Sequence, residues 1–584
     1  MNYTLNQTTE KKKIGFWTAL KRLAPFLADE KRVIFLAFFA IIITSVTNLI
    51  GPVIISHTID NYVMTKDFRG VLVFSGILLG IFLIGLISSY LQTIMMGGVG
   101  RRTLFHLRNK IFLKLQSLPV IFFNQNKAGD LISRINNDTD KLNQFFSQAL
   151  MQFIGSFFTI LGAGIFVLSL NVKLGAAALG PALLVLIITR LISGWVKRKN
   201  AQNLKTVGGM SAEIQESLNN FRVIVAFNRL DFFRKKFSEA NQTNYDAAVT
   251  AGIANNIFTP LYTLATSLAQ LTVVAFGIYL ISAGQLTLGL LVAFLLYVNS
   301  FYSPLRQLAS VWSTFQLALA AFERISEVLD LETDMPVIPS EKKESDAKLA
   351  FKKVSFHYPD GKAVLSDINF ELETGKTYAL VGPTGGGKTT TASLMARLYD
   401  PTEGMVLLDG KDIRAYTEAQ RAEKIGFILQ EPFLFTGTVY DNLIYSHENY
   451  LELSRADFEE LLKKENLHKL LDRFKEGLDT PVQSSGNSLS LGQKQLIAFM
   501  RAVLRKPEVL ILDEATANID TVTEQLLEEV LQKLPDTTTK IIIAHRLNTI
   551  KNADQIFFIN EGEILPAGSM EHAVELLMNK KRES

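Results

Sequence analysis

The sequence has no cysteine among its 584 residues, and this absence excludes disulfide bonds, thiolate metal sites and cysteine nucleophiles. It also lacks a strong excess of either charge. The formal net charge is +4, which is small for this length, so no nucleic acid or other polyelectrolyte partner is expected. The chain exceeds one ordinary hydrophobic core, and we therefore expect at least two domains.

Apolar residues are concentrated before about residue 320, and the remainder has the composition of a soluble domain. Six apolar windows approach the ~20 residues that cross ~30 Å of hydrocarbon. A single window would fit a buried helix of a soluble core, but six in succession indicate membrane spans. The windows are Ile34–Ser56, Val71–Leu91, Ser147–Leu170, Leu174–Trp195, Ile253–Ile281 and Thr287–Leu305.

Basic residues predict the side of the membrane on which each loop lies. They are abundant before the first span and in the two longest connections, whereas the connections 171–173 and 282–286 are short and nearly uncharged. Positive-inside logic predicts a multi-pass membrane protein with both termini in the cytoplasm, and we expect a bacterial inner membrane. The basic residues are Lys11, Lys12, Lys13, Lys21, Arg22, Lys31, Arg32, Arg101, Arg102, Arg108, Lys197, Arg198 and Lys199.

Two inward connections, about Met96–Phe146 and Lys197–Gly252, each run to roughly fifty residues and have helical apolar patterns. At ~1.5 Å per residue, a hairpin of two ~25-residue helices reaches ~40 Å below the bilayer. The first tip is predicted at Phe123–Gly129 and the second near Ile224–Arg229. Each tip would stand where a cytoplasmic domain can contact it.

A glycine-rich loop follows the strand predicted at Thr377–Val381 and opens a helix, the context in which this pattern binds nucleotide phosphates. Backbone N–H groups curl around the phosphates, and the helix N-terminus adds its positive end. Lys388 supplies charge to the β- and γ-phosphates, and the Thr389 hydroxyl is a Mg²⁺ ligand. The sequence therefore predicts ATP and Mg²⁺ as cofactors. The candidate nucleotide-binding residues here are Gly382, Pro383, Thr384, Gly385, Gly386, Gly387, Lys388, Thr389 and Thr390.

Two further apolar strands end in residues that suit phosphoryl transfer. Val509–Leu512 leads to Asp513, a candidate Mg²⁺ ligand, and to Glu514, which would orient or deprotonate the attacking water. A surface acidic pair after a buried strand is the alternative. His545 follows the strand Ile541–Ala544 and can donate to the γ-phosphate, although on its own it would be read as a packed histidine.

Gln430 and Tyr358 are also candidate site residues, but each one alone is weaker evidence for a nucleotide site than the glycine-rich loop. Gln430 follows the strand predicted at Ile425–Leu429 and is a candidate for catalysis, for Mg²⁺ binding and for reporting the γ-phosphate to the hairpin tips. A lone glutamine is more often a solvated loop residue. Tyr358 can stack on adenine, but a tyrosine near a strand end usually belongs to the core.

As a set, Tyr358, GPTGGGKT, Gln430, LSLGQ, LILDEATANID and His545 resemble the ABC transporter ATPase domain in order and spacing. The preceding spans and long inward hairpins resemble the half-transporter exporters of the type IV ABC fold. Residues 122–138 also resemble that family's first coupling-helix region. The resemblance implies a multi-domain fold, with an all-α six-helix transmembrane domain followed by an α/β P-loop ABC ATPase domain. The charged, proline-containing segment 323–348 is the predicted linker between a transmembrane domain at 1–322 and a nucleotide-binding domain at 349–584.

The resemblance also implies a dimer that holds two ATP molecules between its nucleotide-binding domains. Ser490, Gly492 and Gln493 would contact the γ-phosphate of ATP held by the partner chain, and a helix starting near Ser490 would aim its positive end at that phosphate. Asp520 would cross the dimer seam beside the opposite site.

Two positions depart from the family pattern. The segment LSLGQ at Leu489–Gln493 corresponds to the family's signature, which usually reads LSGGQ, so Leu491 stands in place of a glycine. Ser484 stands where that family commonly has a glutamate. The hydrolytic residues Lys388, Asp513, Glu514 and His545 are intact. A complete hydrolytic set with an altered signature fits one member of an asymmetric pair, so a heterodimer with a second half-transporter is favoured over a homodimer.

The resemblance implies an ATP hydrolase that moves a hydrophobic or amphipathic substrate, drug-like or lipid-like, outward across the lipid bilayer. A lipid flippase or exporter of lipid-linked precursors would use the same machinery. A nucleotide-regulated channel is a second alternative, which the intact Glu514 and His545 disfavour. Five aromatic residues of the last two spans could line the substrate cavity, although aromatic residues in spans more often face lipid or pack within the domain: Tyr262, Tyr279, Tyr297, Phe301 and Tyr302.

Overall fold

In a computed structural model, the chain folds into two compact units. The helical unit comprises Thr8–Gln116 and Ala128–Asp330, and the sheet unit comprises Met1–Gln7, Ser117–Lys127 and Leu331–Ser584. The structure describes residues 3–5, 25, 27–332, 335–339, 344–359, 361–430, 432–445, 448–483, 489–513, 521–543, 553–568, 572 and 575.

The N-terminal region is built from helices, and among its described residues six helical segments are long and apolar enough to cross a membrane. This confirms the predicted all-α six-span architecture. The helices are α1 (Lys31–Thr58), α2 (Phe68–Gln116), α3 (Val120–Gln125), α4 (Ala128–Ser133), α5 (Thr139–Gln144), α6 (Leu150–Leu170), α7 (Val172–Asn219), α8 (Phe221–Ala226), α9 (Leu230–Asn256), α10 (Phe258–Ser282) and α11 (Leu288–Leu329). Single π-helical turns lie at Ile59–Val63, Arg134–Asp138 and Phe145–Ala149.

Helices α2 and α7 are much longer than a membrane crossing requires. They contain 49 and 48 residues, which corresponds to roughly 70 Å each. The hydrocarbon core is ~30 Å thick, so both helices must continue well beyond it. Asn171 and Thr287 begin two of the long helices, because their side chains accept the backbone N–H of Leu174 and Leu290.

Three tyrosines of the last two spans are packing residues of the helical unit. Tyr262, Tyr297 and Tyr302 are no more than 4% exposed. The hydroxyls of Tyr297 and Tyr302 donate to the backbone carbonyls of Leu49 and Ala178 at 2.5 and 2.9 Å, which satisfies each buried polar group. Of the roles that the sequence left open, which were cavity lining, lipid contact and packing, these three residues have the packing role.

A buried arginine links the first connection to the end of α11 within the helical unit. Arg134 is 1% exposed, and its guanidinium donates to the Asp130 and Glu327 carboxylates, each at 2.9 Å. Arg324 contacts Asp130 at 2.5 Å and the fully buried Asp138 at 3.2 Å. Every charge in this network has an opposite charge beside it, as burial of ionised groups requires.

The described residues of the sheet unit form three sheets. The strands are β1 (Leu349–His357), β2 (Ala363–Leu372), β3 (Thr377–Val381), β4 (Glu403–Leu408), β5 (Lys411–Asp412), β6 (Ile425–Ile428), β7 (Gly437–Thr438), β8 (Pro481–Val482), β9 (Val509–Asp513), β10 (Thr539–Ile543), β11 (Gln555–Asn560) and β12 (Glu563–Pro566). The six-stranded sheet has the order β12-β11-β3-β10-β9-β6, the antiparallel sheet has the order β2-β1-β4-β5, and β7 pairs with β8.

Helices of the sheet unit cover the parallel strands, which are buried and consist largely of Val, Ile and Leu. They are α12 (Lys388–Met395), α13 (Glu418–Lys424), α14 (Val439–Ile444), α15 (Arg455–Lys464), α16 (His468–Leu471), α17 (Leu491–Leu504) and α18 (Thr521–Gln532). The α/β part of the predicted fold class is thereby confirmed. The added antiparallel sheet was not part of the prediction.

Two lysines and two carboxylates form an ion network in the sheet unit. Lys348 is 7% exposed and contacts Asp409 at 2.5 Å and Glu508 at a short distance. Lys424 contacts the same two carboxylates at 2.9 and 2.8 Å. Partial burial by itself raises the pKa of Asp409 and of Glu508, but the hydrogen bonds from both lysines outweigh it and lower each pKa.

We expect Lys348→Met to lower the apparent melting temperature by about 5 °C or more, because it leaves two carboxylates without one of their cations. A lowered carboxylate pKa contributes stability that is fully present above the ordinary values of 3.8 and 4.5. That stability is lost as the pH falls through the lowered values in the folded state. Melting curves from pH 7 to pH 3 should therefore converge for wild type and variant. The exposed pair of Lys376 with Glu373 supplies the control Lys376→Met, which should change little; equal effects of the two variants would contradict the assignment.

Candidate nucleotide-binding site

Three of the predicted site segments lie at one edge of the six-stranded sheet because their strands are parallel and in register. Leu380 of β3 pairs with Ile543 of β10, and Ile543 pairs with Asp513 of β9. Ile428 of β6 pairs with Leu512 of β9. The carboxyl ends of these strands therefore deliver the glycine loop, Asp513 and the segment containing Gln430 to the same edge. In open α/β sheets this is the edge where ligands bind.

The glycine loop requires glycine at particular positions. A Cβ atom on Gly382 would lie 1.9 Å from the carbonyl oxygen of Ile559, so no larger residue fits there. Gly387 has a φ of +110°, which strongly favours glycine, immediately before the first residue of α12. The loop backbone can therefore pass close to β11 and present its N–H groups at the start of the helix.

The side chain of Lys388 is held inside the loop. It is 5% exposed, and its Nζ donates to the carbonyl oxygens of Gly382 and Pro383 at 2.8 and 2.9 Å. The ammonium group therefore stands among the loop backbone that surrounds phosphates in this motif. Thr389 is exposed at the helix start, where its hydroxyl is accessible to a ligand.

Tyr358 stands beside the first turn of α12. Its hydroxyl is 3.1 Å from the Thr390 hydroxyl, and its ring meets the rings of Phe356 and Tyr399 edge to face at 5.0 and 5.5 Å. The tyrosine is only partly buried. This placement suits stacking against a base whose phosphates lie in the loop.

Asp513 is buried, with 2% of its surface exposed, at the end of β9. Gln430 is exposed two residues beyond β6. The oxygen atoms of Asp513 and Thr389 are the hard ligands that Mg²⁺ prefers. Among the described residues, no group of three or more His, Cys, Asp or Glu side chains forms a metal cage. Mg²⁺ at nucleotide sites usually keeps several waters and is completed by substrate phosphates.

The signature segment forms the start of α17. The Ser490 hydroxyl accepts the backbone N–H of Gln493 at 3.2 Å, and the Gln493 side-chain carbonyl accepts the backbone N–H of Ser490 at 3.0 Å. This reciprocal capping box fixes the helix N-terminus. The Gln493 amide also donates to the Arg473 carbonyl at 2.9 Å. Leu491 is 41% exposed in the first turn, and Gly492 is half-buried beside it.

Several predicted residues lie outside the described part of the chain: Glu514, Asp520, His545 and Ser484. Their roles remain predictions from the sequence, as does the contact of Ser490, Gly492 and Gln493 with a partner's phosphate.

Sequence reasoning missed Tyr399, whose hydroxyl accepts a hydrogen bond from the Asn124 amide at 2.8 Å within the sheet unit. These residues are 275 positions apart, so only the folded chain shows their contact.

Comparison with known proteins agrees with this geometry. Residues 34–305 match the family model described as the ABC transporter transmembrane region, and residues 365–517 match the model described as ABC transporter. The uncharacterized ABC transporter ATP-binding protein YfiC of Bacillus subtilis is 32% identical over 557 residues, covering 95% of this chain and 92% of that protein. The chain belongs to the ABC transporters.

Two further ABC transporters of similar length are related to this one. The fatty acid ABC transporter ATP-binding/permease protein of Mycobacterium bovis is 31% identical, covering 88% of this chain and 80% of that protein. The ATP-dependent lipid A-core flippase of Yersinia pestis is 29% identical, covering 95% of this chain and 96% of that protein.

The transmembrane region and the ATPase region are fused in one chain, as in the half-transporters of ABC exporters. This ABC transporter is a multi-pass membrane protein that binds ATP and couples its hydrolysis to transport.

Proposed function

We propose that this chain is half of an exporter that moves a hydrophobic or amphipathic molecule outward, from the cytoplasm or the inner leaflet. The observation that carries the proposal is which segments of the chain belong to the sheet unit. That unit contains both the glycine loop and α3, the tip of the first hairpin between membrane spans. Nucleotide-dependent movement of this unit therefore acts directly on a segment continuous with α2 and α4.

Within this proposal each residue of the site has a role. Lys388 neutralises the β- and γ-phosphates, while Thr389, Asp513 and Gln430 hold Mg²⁺ directly or through water. Glu514 orients the attacking water. His545 donates to the γ-phosphate. Closure of two ATPase regions around ATP is then stabilised by charge-assisted hydrogen bonds to the phosphates.

The cytoplasmic position of both ends also belongs to the proposal. ATP is supplied in the cytoplasm, so the sheet unit must lie there. Residues Tyr3–Leu5 and the C-terminal sheets belong to that same unit, which supports cytoplasmic termini and, for a bacterial protein, the inner membrane.

We propose a heterodimer with a second half-transporter. Leu491 supports it, because a 41% exposed branched side chain stands at the helix start that would cover the partner's ATP. We expect the chain purified alone to hydrolyse ATP about tenfold more slowly than the chain co-purified with a neighbouring half-transporter. Leu491→Gly should raise the slow rate of the chain alone severalfold, because it removes the side chain that would obstruct the site between two identical chains. Full activity of the chain alone, or no gain from Leu491→Gly in that form, would favour a homodimer.

A polar pair within the spans suggests where the cargo passes. Gln270 and Asn299 are hydrogen-bonded at 3.3 Å, and Asn299 is exposed on the helical unit about 17 Å along α11 from its first residue. Polar side chains at this depth usually face a cavity rather than lipid. The relatives named for fatty acid and lipid A-core transport favour a lipid-like cargo.

Reconstitution tests this proposal. Proteoliposomes containing the paired protein should move a fluorescent phospholipid between leaflets when ATP is added on the side of the membrane where the sheet unit lies. Proteoliposomes containing the Glu514→Gln variant should not move the phospholipid. A lipophilic dye distinguishes drug export from lipid transport. Rapid, non-saturable ion flux opened by ATP binding alone would instead support a nucleotide-regulated channel.

A further inference from the structure

The hairpin tip α3 contacts Tyr399, which packs against Tyr358, the residue proposed to stack on adenine. The Asn124 amide donates to the Tyr399 hydroxyl at 2.8 Å. The Tyr399 ring meets the Tyr358 ring edge to face, with centroids 5.5 Å apart and planes at 88°. The Tyr358 hydroxyl is 3.1 Å from that of Thr390 in α12. One continuous set of contacts thus joins α3 to the helix that follows the glycine loop.

A second anchor holds the C-terminal end of α3, next to Asn124. Tyr3 is 2% exposed, and its backbone N–H donates to the Gln125 side chain at 2.7 Å. The Asn126 amide group donates to the Tyr3 carbonyl and accepts the Leu5 N–H, each at 2.9 Å. The Tyr3 ring stands perpendicular to the buried ring of Phe122, with centroids 6.4 Å apart.

These anchors matter because α3 has only six residues. A helix this short is not stable alone, since too few hydrogen bonds form to offset the cost of nucleation. Its position within the sheet unit is therefore set by tertiary contacts. Tyr399 accepts a hydrogen bond from Asn124 of α3. The backbone of the Tyr3–Leu5 segment forms hydrogen bonds with the side chains of Gln125 and Asn126, at the end of α3.

We propose that Tyr3 and Tyr399 are positioning residues that hold α3 in a fixed position relative to the ATP site. Closure of that site therefore moves the first hairpin. Tyr3 acts on the tip, and Tyr399 joins the tip to the ring of Tyr358. This inference rests on the proposed function, in which Tyr358 stacks on adenine and ATP closure drives transport.

The test uses the full-length paired protein with Asn299→Cys as its labelling site, since the chain has no other cysteine. Two quantities are measured in liposomes: the KM and kcat of ATP hydrolysis, and the ratio of labelling rates with and without ATP for a membrane-impermeant thiol reagent. Asn124→Ala and Tyr399→Phe each remove the hydrogen bond and keep the aromatic contacts. Tyr450→Phe is the control, because it also removes one tyrosine hydroxyl bond, to the Leu504 carbonyl.

We expect Asn124→Ala and Tyr399→Phe each to reduce the ATP-dependent labelling ratio at least threefold while KM and kcat change less than twofold. The double variant should be no worse than either single variant, because both remove the same contact. Tyr3→Ala should give the same loss, and Gln125→Ala provides a milder variant if Tyr3→Ala folds poorly. Tyr399→Ala should in addition raise the KM for ATP about threefold, because Tyr358 loses its neighbouring ring.

An unchanged labelling ratio in Asn124→Ala and Tyr399→Phe, or additive losses in the double variant, would overturn the inference. Failure of the proposed function looks different. In that case the parent protein itself shows no ATP-dependent labelling, or Tyr358→Ala leaves the KM for ATP unchanged. If only the labelling response is missing from the parent, an unchanged KM in Tyr399→Ala still refutes the positioning role.

Discussion

Replacing Glu514 with glutamine is expected to stop steady-state ATP hydrolysis while ATP still binds. The substitution removes the carboxylate that orients or deprotonates the attacking water, and it leaves the phosphate-binding residues intact. We expect kcat to fall by a factor on the order of 10² to 10³, with the affinity for ATP retained or increased. Phosphate release and binding of a fluorescent ATP analogue, both measured on the paired protein, check the two parts of this result.

Two comparisons show whether the loss is specific. Glu529→Gln changes an exposed glutamate of α18 whose nearest cation, Lys469, is 3.6 Å away, and it should leave turnover unchanged. Lys388→Ala should lose ATP binding as well as turnover, because this buried ammonium lies within the glycine loop. Near-normal hydrolysis by Glu514→Gln would remove Glu514 from its proposed role.

Arg134→Met is expected to cost about 3–5 kcal/mol of folding free energy, because removing one partner of a buried ion network leaves its counter-charges uncompensated. Arg134 is 1% exposed and contacts both Asp130 and Glu327. The apparent melting temperature of the detergent-solubilised protein should fall by roughly 6 °C or more. Arg134→Lys should recover only part of this loss, since lysine keeps the charge but lacks the planar fork that serves two carboxylates.

The matched control is Arg234→Met. Arg234 pairs with Asp231 at 3.3 Å, but both side chains are largely exposed, at 76% and 97%. An exposed pair of this kind contributes less than ~1 kcal/mol, so its loss should shift melting by no more than about 2 °C. Equal shifts for the two variants would show that the Arg134 network does not stabilise the helical unit.

The sequence was most informative where local pattern determines structure. The strands predicted at Thr377–Val381 and Val509–Leu512 are present as β3 and β9. Their parallel register through β10 is what brings the glycine loop and Asp513 to one edge of the sheet. Membrane-length apolar windows likewise predicted the six spans. Both features depend on hydrophobic periodicity and on the few residue types that a phosphate loop tolerates.

Contacts between distant segments were not predictable in this way. Arg134 and Glu327 are 193 residues apart, and Asn124 and Tyr399 are 275 apart, so no sequence spacing relates them. Tyr297 and Tyr302 show the same limit for burial. An aromatic residue in a span can face a cavity, face lipid or pack in the protein interior. The burial of these two tyrosines and their hydrogen bonds to Leu49 and Ala178 identify the interior.

The central claim is that ATP binding to the sheet unit opens the spans toward the outside. Labelling of Asn299→Cys in the Glu514→Gln background, by a membrane-impermeant thiol reagent applied from the outer side, tests it most directly. We predict that ATP and Mg²⁺ on the inner side raise the labelling rate by at least tenfold, because closure exposes a cavity residue that was accessible only from the cytoplasm. An equal rate with and without ATP, in protein shown to bind the nucleotide, would contradict the account.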